Sequence, residues 1–204
     1  SRTCIMGRNG VGKTTLLKCL MGMLAAASGS ITINQQDVTR ARIESRANIV
    51  VGYVPQGRHI FGQLTVEENL KVSLNCKRQT SRSLPEDIFE YFPVLKEMLQ
   101  RRGGDLSGGQ QQQLAIARAL VTNPKVLLLD EPTEGIQPSI IKDIANILND
   151  IKKLREITII VSEQVLSFTM SIADRIIVID KGDFIHEDKR EDVDVSQIAK
   201  YLSV

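Results

Sequence analysis

The stretch GRNGVGKTT, residues 7 to 15, constrains this chain more than any other feature. Before it stands SRTCIM, long enough for one strand, and from Lys13 onward TLLKCLMGML suits a helix. The stretch fits G-x-x-x-x-G-K-[S/T] with Gly7, Gly12, Lys13 and Thr14. In that pattern Gly10 and Gly12 let backbone N–H groups turn inward onto phosphate oxygens, and the dipole of the following helix adds to the attraction. Lys13 neutralises the β and γ phosphates of a nucleotide, and Thr14 offers its hydroxyl to Mg²⁺. Asn9, Val11 and Thr15 complete the candidate phosphate cradle. A plain strand-to-helix turn would not need this set of residues.

A metal held beside phosphates wants a carboxylate at the end of a buried strand, and VLLLDE supplies one. Asp130 is placed to hold the Mg²⁺ water shell, on a strand expected next to the phosphate-loop strand. Glu131 is expected to point to the opposite side of the chain and to polarise an attacking water. Gln56, which ends GYVPQ, could touch both the metal and that water, although a Gln after Pro is by itself more often an exposed loop residue. Thr14, Gln56 and Asp130 are thus the candidate metal-site residues.

Other segments fill in an α/β domain. Alternation in GSITINQQD (29 to 37) reads as a strand, and IVVGYVP (49 to 55) as another. Between 64 and about 102, LTVEENLKVSL and PEDIFEYFPVLKEMLQRR carry apolar residues at helical spacing, with a polar break NCKRQTSRS between them. Leu114, Ala117, Leu120 and Val121 mark one buried helix stripe. Ile140, Ile141, Ile144, Ile147, Leu148, Ile151 and Leu154 mark a longer one that starts at Pro138. KVLLLDEP and ITIIV are strands covered on both faces, and RIIVIDKGDFIHE is a hairpin turning at Lys181-Gly182. Strands alternating with helices give a largely parallel sheet.

The totals exclude several functions. With 26 Lys and Arg against 24 Asp and Glu, the net charge of +2 provides no nucleic-acid-binding surface. Cys4, Cys19 and Cys76 lack metal-ligand spacing and read as reduced thiols in a cytosolic setting. No apolar run approaches the roughly 20 residues of a membrane helix, so a membrane link must come through a partner.

LSGGQQQQL, residues 106 to 114, is a second glycine turn at a helix start, with no lysine beside it to make a nucleotide pocket of its own. Alone, it would be a structural cap. Together with GRNGVGKTT, VPQG, VLLLDEPTEGIQP and ADRIIVIDKG, however, it resembles an ABC-transporter ATPase subunit over nearly the whole chain. The resemblance implies a P-loop NTPase fold, with residues 1–56 and 107–204 as a RecA-like core and 57–106 as a helical subdomain. It implies ATP and Mg²⁺ as cofactors. It also implies a head-to-tail dimer in which Ser107, Gly108, Gly109 and Gln110 cap ATP held by the partner.

Within the family, GRNGVGKTT, DEPTEGIQPSI and the ending KYLSV look most like the second ATPase subunit of urea importers, close kin of the branched-chain amino-acid importers. That likeness implies a non-identical second ATPase, membrane permease subunits, a solute-binding protein acting indirectly, and a place on the cytoplasmic face of the membrane. Two positions depart from the family pattern. Gln164, in VSEQV, stands where a switch histidine is usual, and an amide can bond the γ-phosphate but cannot become cationic. Gln137, in EGIQ, stands where many relatives have Asp. The aromatic residue that stacks on adenine in this family lies ahead of the first strand, in amino-terminal strands expected to be missing here, so neither Tyr53 nor Phe61 is assigned to it.

Overall fold

The computed structural model describes residues 1–48, 51–75 and 83–203. Strand β1 (Arg2–Met6) runs into the phosphate loop and helix α1 (Lys13–Met21) leaves it. The helix is shorter than TLLKCLMGML suggests. Gly22 closes it in the left-handed conformation, and Met23 and Leu24 lie exposed beyond. The segment read as one strand over 29–37 is instead a small hairpin, β2 (Thr32–Ile33) and β3 (Gln36–Asp37). Asn34 and Gln35, both at positive φ, make the tight turn between them. Helix α2 (Ile43–Asn48) follows. From it the buried Arg46 donates to the carbonyls of Cys19 and Leu20, placing a cation at the carboxyl end of α1.

Strand β4 (Val51–Val54) leads to Gln56, then α3 (Val66–Asn75). Residues 49 and 50 of the expected strand, and Cys76 with most of the polar break, fall outside the described residues. The apolar stretch 85–102 is not one helix but two, α4 (Asp87–Tyr91) and α5 (Pro93–Glu97). Phe92 breaks the run at φ −126°, ψ 65°, because the proline after it disfavours the helical conformation. A single 3-10 turn, Gly103–Asp105, precedes α6 (Gly108–Leu120). The four stripe residues of α6 are all buried.

Strand β5 (Val126–Asp130) is followed by α7 (Pro138–Leu154), β6 (Thr158–Glu163), α8 (Leu166–Ile172), the hairpin β7 (Arg175–Asp180) and β8 (Asp183–Lys189), and α9 (Val195–Leu202). On α7, Ile144, Leu148 and Ile151 are fully buried, each contributing roughly 1.5–3 kcal/mol relative to exposure. Leu154, expected on the same stripe, is 69% exposed, because the helix ends there and the chain turns toward β6.

Apart from the β2–β3 hairpin, the described strands form one six-stranded sheet in the order β4-β5-β6-β1-β7-β8, parallel except for β8. Alternation along the central strands divides the core. Ile5, Leu128 and Ile179 pack with Leu17 of α1 on one face. Cys4, Met6, Leu127, Leu129 and Val161 pack with α6, α7 and α8 on the other. The order also corrects an expectation. Asp130 does not sit on the neighbour of β1, because β6 lies between β1 and β5, pairing with both.

Candidate active site

The site lies at the carboxyl ends of the parallel strands, where open α/β sheets form their ligand crevices. A cavity of about 330 Å³ is lined by Asn9, Gly10, Gly12, Lys13, Thr14, Thr15, Gln56 and Glu131. A larger hollow of about 730 Å³ opens at the other end of the sheet, around Ser1, Lys125 and Thr158, where strands begin, and it holds none of the candidate residues.

Lys13 is almost fully buried, and its Nζ donates to the carbonyls of Gly7 at 2.6 Å and Arg8 at 2.8 Å. It also stands 3.2 Å from Glu131 Oε1, so loop, lysine and carboxylate form one closed set. Gly12 caps α1 at φ 113°, a conformation that favours glycine, and this leaves the first N–H groups of the helix facing the cavity. Val11 differs from its loop neighbours. Its side chain packs against the Ile5 cluster and its carbonyl accepts from Gly182 N, so only its own N–H is left to serve a ligand.

Asp130 is 1% exposed and lies beneath the cavity floor. Its Oδ1 accepts from Thr14 Oγ1 at 3.2 Å and from the Ser162 hydroxyl, and its Oδ2 accepts from Tyr53 OH at 3.4 Å. Burial, reinforced by the Asp130 carboxylate, pushes the Tyr53 phenol up to about 12, so it remains a donor. A hydroxyl, a carboxylate behind it and the Gln56 amide across the cavity make an all-oxygen donor set. That set fits Mg²⁺ completed by phosphate oxygens and water.

Glu131 does not point away from Asp130 as strand alternation predicts. The strand ends at Asp130, and Glu131 adopts φ 46°, which swings its side chain back over the phosphate loop. This conformation is unfavourable for a residue with a side chain and persists where the surroundings hold it. Its N–H is anchored to Ser162 O at 3.0 Å. Gln164 Nε2 then spans Asn9 Oδ1 at 2.7 Å and Glu131 Oε1 at 3.1 Å.

Ser107 to Gln110 lie outside this cavity. Ser107 caps α6, its Oγ accepting from Gln110 N at 3.3 Å while Gln110 Oε1 accepts from Ser107 N at 3.0 Å. A Cβ on Gly109 would meet Ile140 Cγ2 at 2.6 Å, so this glycine also lets α6 approach α7.

Residues 1–134 match the family model described as ABC transporter. The chain belongs to that family, as one of its ATPase domains. It is 38% identical over 185 residues to the high-affinity branched-chain amino acid transport ATP-binding protein BraG of Pseudomonas aeruginosa, covering 90% of this chain and 79% of the relative. It is 33% identical over 183 residues to a probable branched-chain amino acid transport ATP-binding protein, LivF, of Archaeoglobus fulgidus, covering 89% and 78%. It is 32% identical over 185 residues to the lipopolysaccharide export system ATP-binding protein LptB of Haemophilus influenzae, covering 89% and 76%. A solved dimeric ATP-binding cassette bound to ADP and phosphate superposes with a TM-score of 0.81 at 25% identity, over 92% of this chain and 84% of that one.

Within this ABC ATPase, three residues near the site escaped the sequence reading. Ser162 bonds Asp130 and the Glu131 N–H. Glu163, 2% exposed, accepts from Gln164 N at 2.7 Å, Val165 N at 3.1 Å and Thr133 Oγ1 at 2.8 Å. Burial raises its proton affinity, against the lowering effect of those three donors, and the Glu131 charge raises it further. Arg58 reaches from the loop after Gln56 to α6. Asp130 meets Ser162 through the parallel register of β5 and β6, which no sequence signal gives. The other two depend on the tertiary approach of loops.

Proposed function

We propose that this chain is the ATP-hydrolysing subunit of an importer in the branched-chain amino-acid and urea group, with urea or a short amide as one cargo candidate beside branched-chain amino acids. The observation that carries the reading is the convergence of Lys13, Glu131 and Gln164 on one cavity above the Thr14–Asp130 pair, while the Ser107–Gln110 turn stands outside it. One chain thus has a nucleotide cradle and, separately, an anion-binding turn to lend.

In this reading Asn9 to Thr15 hold the phosphates through backbone N–H groups, and Lys13 neutralises them. Thr14, Gln56 and Asp130 would hold Mg²⁺, which would supply neutralising charge to the phosphates. Glu131 orients and polarises water for attack on the γ-phosphate. Gln164 aligns Glu131 with the loop through Asn9 without adding charge. Ser107, Gly108, Gly109 and Gln110 cap the γ-phosphate of ATP in a head-to-tail partner, a second and non-identical ATPase. Loss of that phosphate removes the contacts bridging the two chains, which converts chemistry into motion.

The helical stretch 57–106 serves as the subdomain facing a permease, beside a core of 1–56 and 107–204. The chain works as a peripheral subunit on the cytoplasmic face of the membrane, with cargo delivered by a solute-binding protein. Among the described residues no helix is long and apolar enough to cross a membrane, which agrees with docking through a partner.

Affinity capture of the tagged chain from a membrane extract tests this directly. Permease subunits and a second ATPase should come with it, and cells lacking the chain should lose uptake of labelled urea or leucine. Capture of repair, chromosome or translation proteins instead would sink the transport reading. The likeness to an export ATPase makes direction of transport a separate outcome of the uptake measurement.

A further inference from the structure

Directly after Gln56 the chain makes three successive residues at positive φ, Gly57 at 82°, Arg58 at 70° and His59 at 50°. Glycine takes this conformation freely, whereas arginine and histidine do not, so the turn persists only because its surroundings hold it. Backbone bonds from Arg58 N to Pro55 O at 3.3 Å and from His59 N to Gly57 O at 2.8 Å hold part of it, and two arginine side chains tie it to its neighbours. Arg118 of α6 donates to His59 O at 2.8 Å and stacks over the Phe61 ring at 4.5 Å. Arg58 reaches the other way, donating to Gln111 Oε1 at 3.3 Å and to Gly135 O at 3.4 Å, with its guanidinium beside Gly108.

Gln111 in turn donates to Gly103 O at 3.1 Å. Among the described residues no carboxylate forms an ion pair with Arg58, so its charge is spent on two neutral acceptors. Both bonds are at the long end of the hydrogen-bond range, weak enough to break and re-form.

We propose that Arg58 is a positioning residue that ties nucleotide arrival at Gln56 to the orientation of the Ser107–Gln110 turn and of the turn at Gly135. It deepens, and rests on, the reading of the Ser107–Gln110 turn as a lid for a partner's nucleotide. Gln56 lines the phosphate cavity and stands two residues before Arg58. A small displacement of Gln56 toward a triphosphate and its metal rotates a backbone already in an unfavourable conformation. The guanidinium fork carries that rotation to the first turn of α6 through Gln111, and to the segment after Glu131 through Gly135. A planar fork bonds two acceptors at once, which a lysine ammonium does not reproduce.

Amide hydrogen exchange at residues 107–111 tests this, with and without a non-hydrolysable ATP analogue, at a concentration where light scattering shows a monomer. The analogue should slow exchange by about threefold or more in the parent chain. Arg58→Ala and Gln111→Leu should each abolish the slowing while leaving analogue affinity within about twofold, and the double variant should lose no more than either single one. In the assembled transporter Arg58→Ala should lower turnover by about tenfold or more. Slowing that persists in Arg58→Ala, or full rescue by Arg58→Lys, overturns the inference. If residues 107–111 stay as exposed in a dimer formed at higher concentration with the analogue as they are in the free monomer, the lid reading is overturned instead, so the two failures are told apart.

Discussion

Gln164 Nε2 and Lys13 Nζ meet the same atom, Glu131 Oε1, at 3.1 and 3.2 Å, one as a neutral donor and the other as a cation. One carboxylate oxygen therefore joins three segments of the chain: the phosphate loop, the end of β5 and the end of β6. The oxygen that ties the segments together belongs to the group proposed to polarise water.

Replacing Glu131 by Gln keeps the shape of the side chain and removes its ability to take up proton density from water. ATP binding should be retained, because the phosphate loop is unaltered, while turnover should fall on the order of 10²–10⁴-fold. Nucleotide-binding and phosphate-release assays on the same preparation check both halves. Unchanged turnover would remove Glu131 from its role.

Gln164→His places an ionisable ring where the amide now stands. With an ordinary histidine pKa of about 6.5, the ring becomes cationic as pH falls and can then add positive charge at the γ-phosphate. Turnover of the variant relative to the parent should rise between about pH 8 and pH 6.5. A ratio that stays flat across that range would mean that position 164 does not contact the reacting phosphate.

Glu163 is a buried carboxyl whose proton affinity is raised in the fold above its ordinary value of 4.5. The folded state therefore binds this proton more tightly than the unfolded state, and stability falls as pH rises from 4.5 through the raised value. In Glu163→Gln the amide oxygen can accept from Gln164 N and Val165 N while its NH₂ donates to Thr133 Oγ1. The variant should unfold at a higher temperature than the parent at pH 8, with the difference shrinking as pH falls toward 4.5. Thermal unfolding at several pH values reads this out, and a difference independent of pH would remove the buried charge as its cause.

Cys4 lies fully buried on β1, and burial, with the Glu163 charge as a second cause, pushes its thiol up to about 12. Iodoacetamide at pH 8 should leave Cys4 unmodified in the folded chain and modify it in denaturant. Peptide mapping by mass spectrometry gives the answer, and labelling of the folded chain would show that β1 opens.

The phosphate loop, the strand end at Asp130 and the helix stripes short of Leu154 were legible because each depends on neighbours within one turn or one strand. The sharp bend at Glu131 was not, because a left-handed residue at a strand end is fixed by Ser162 from another strand. Strand order was likewise invisible, since VLLLD reads the same whether its neighbour is β1 or β6. Phe92 and the Asn34-Gln35 turn broke elements whose periodicity ran through them. Both breaks carried a local signal: Pro93 after the first, and a polar pair at the centre of the second.

The placement of β6 between β1 and β5 separates the two charged halves of the site onto strands that never touch. The spacer between them ends in Ser162, which serves Asp130, and its exit carries Gln164, which serves Glu131. A change of chemistry at position 164 would therefore reach the proposed cradle only through Asn9 and Glu131, and would leave the Thr14–Asp130 pair proposed to hold the metal in place. The residue proposed to act on water and the residues proposed to hold the metal are thus supported by different positions of one intervening strand and its exit.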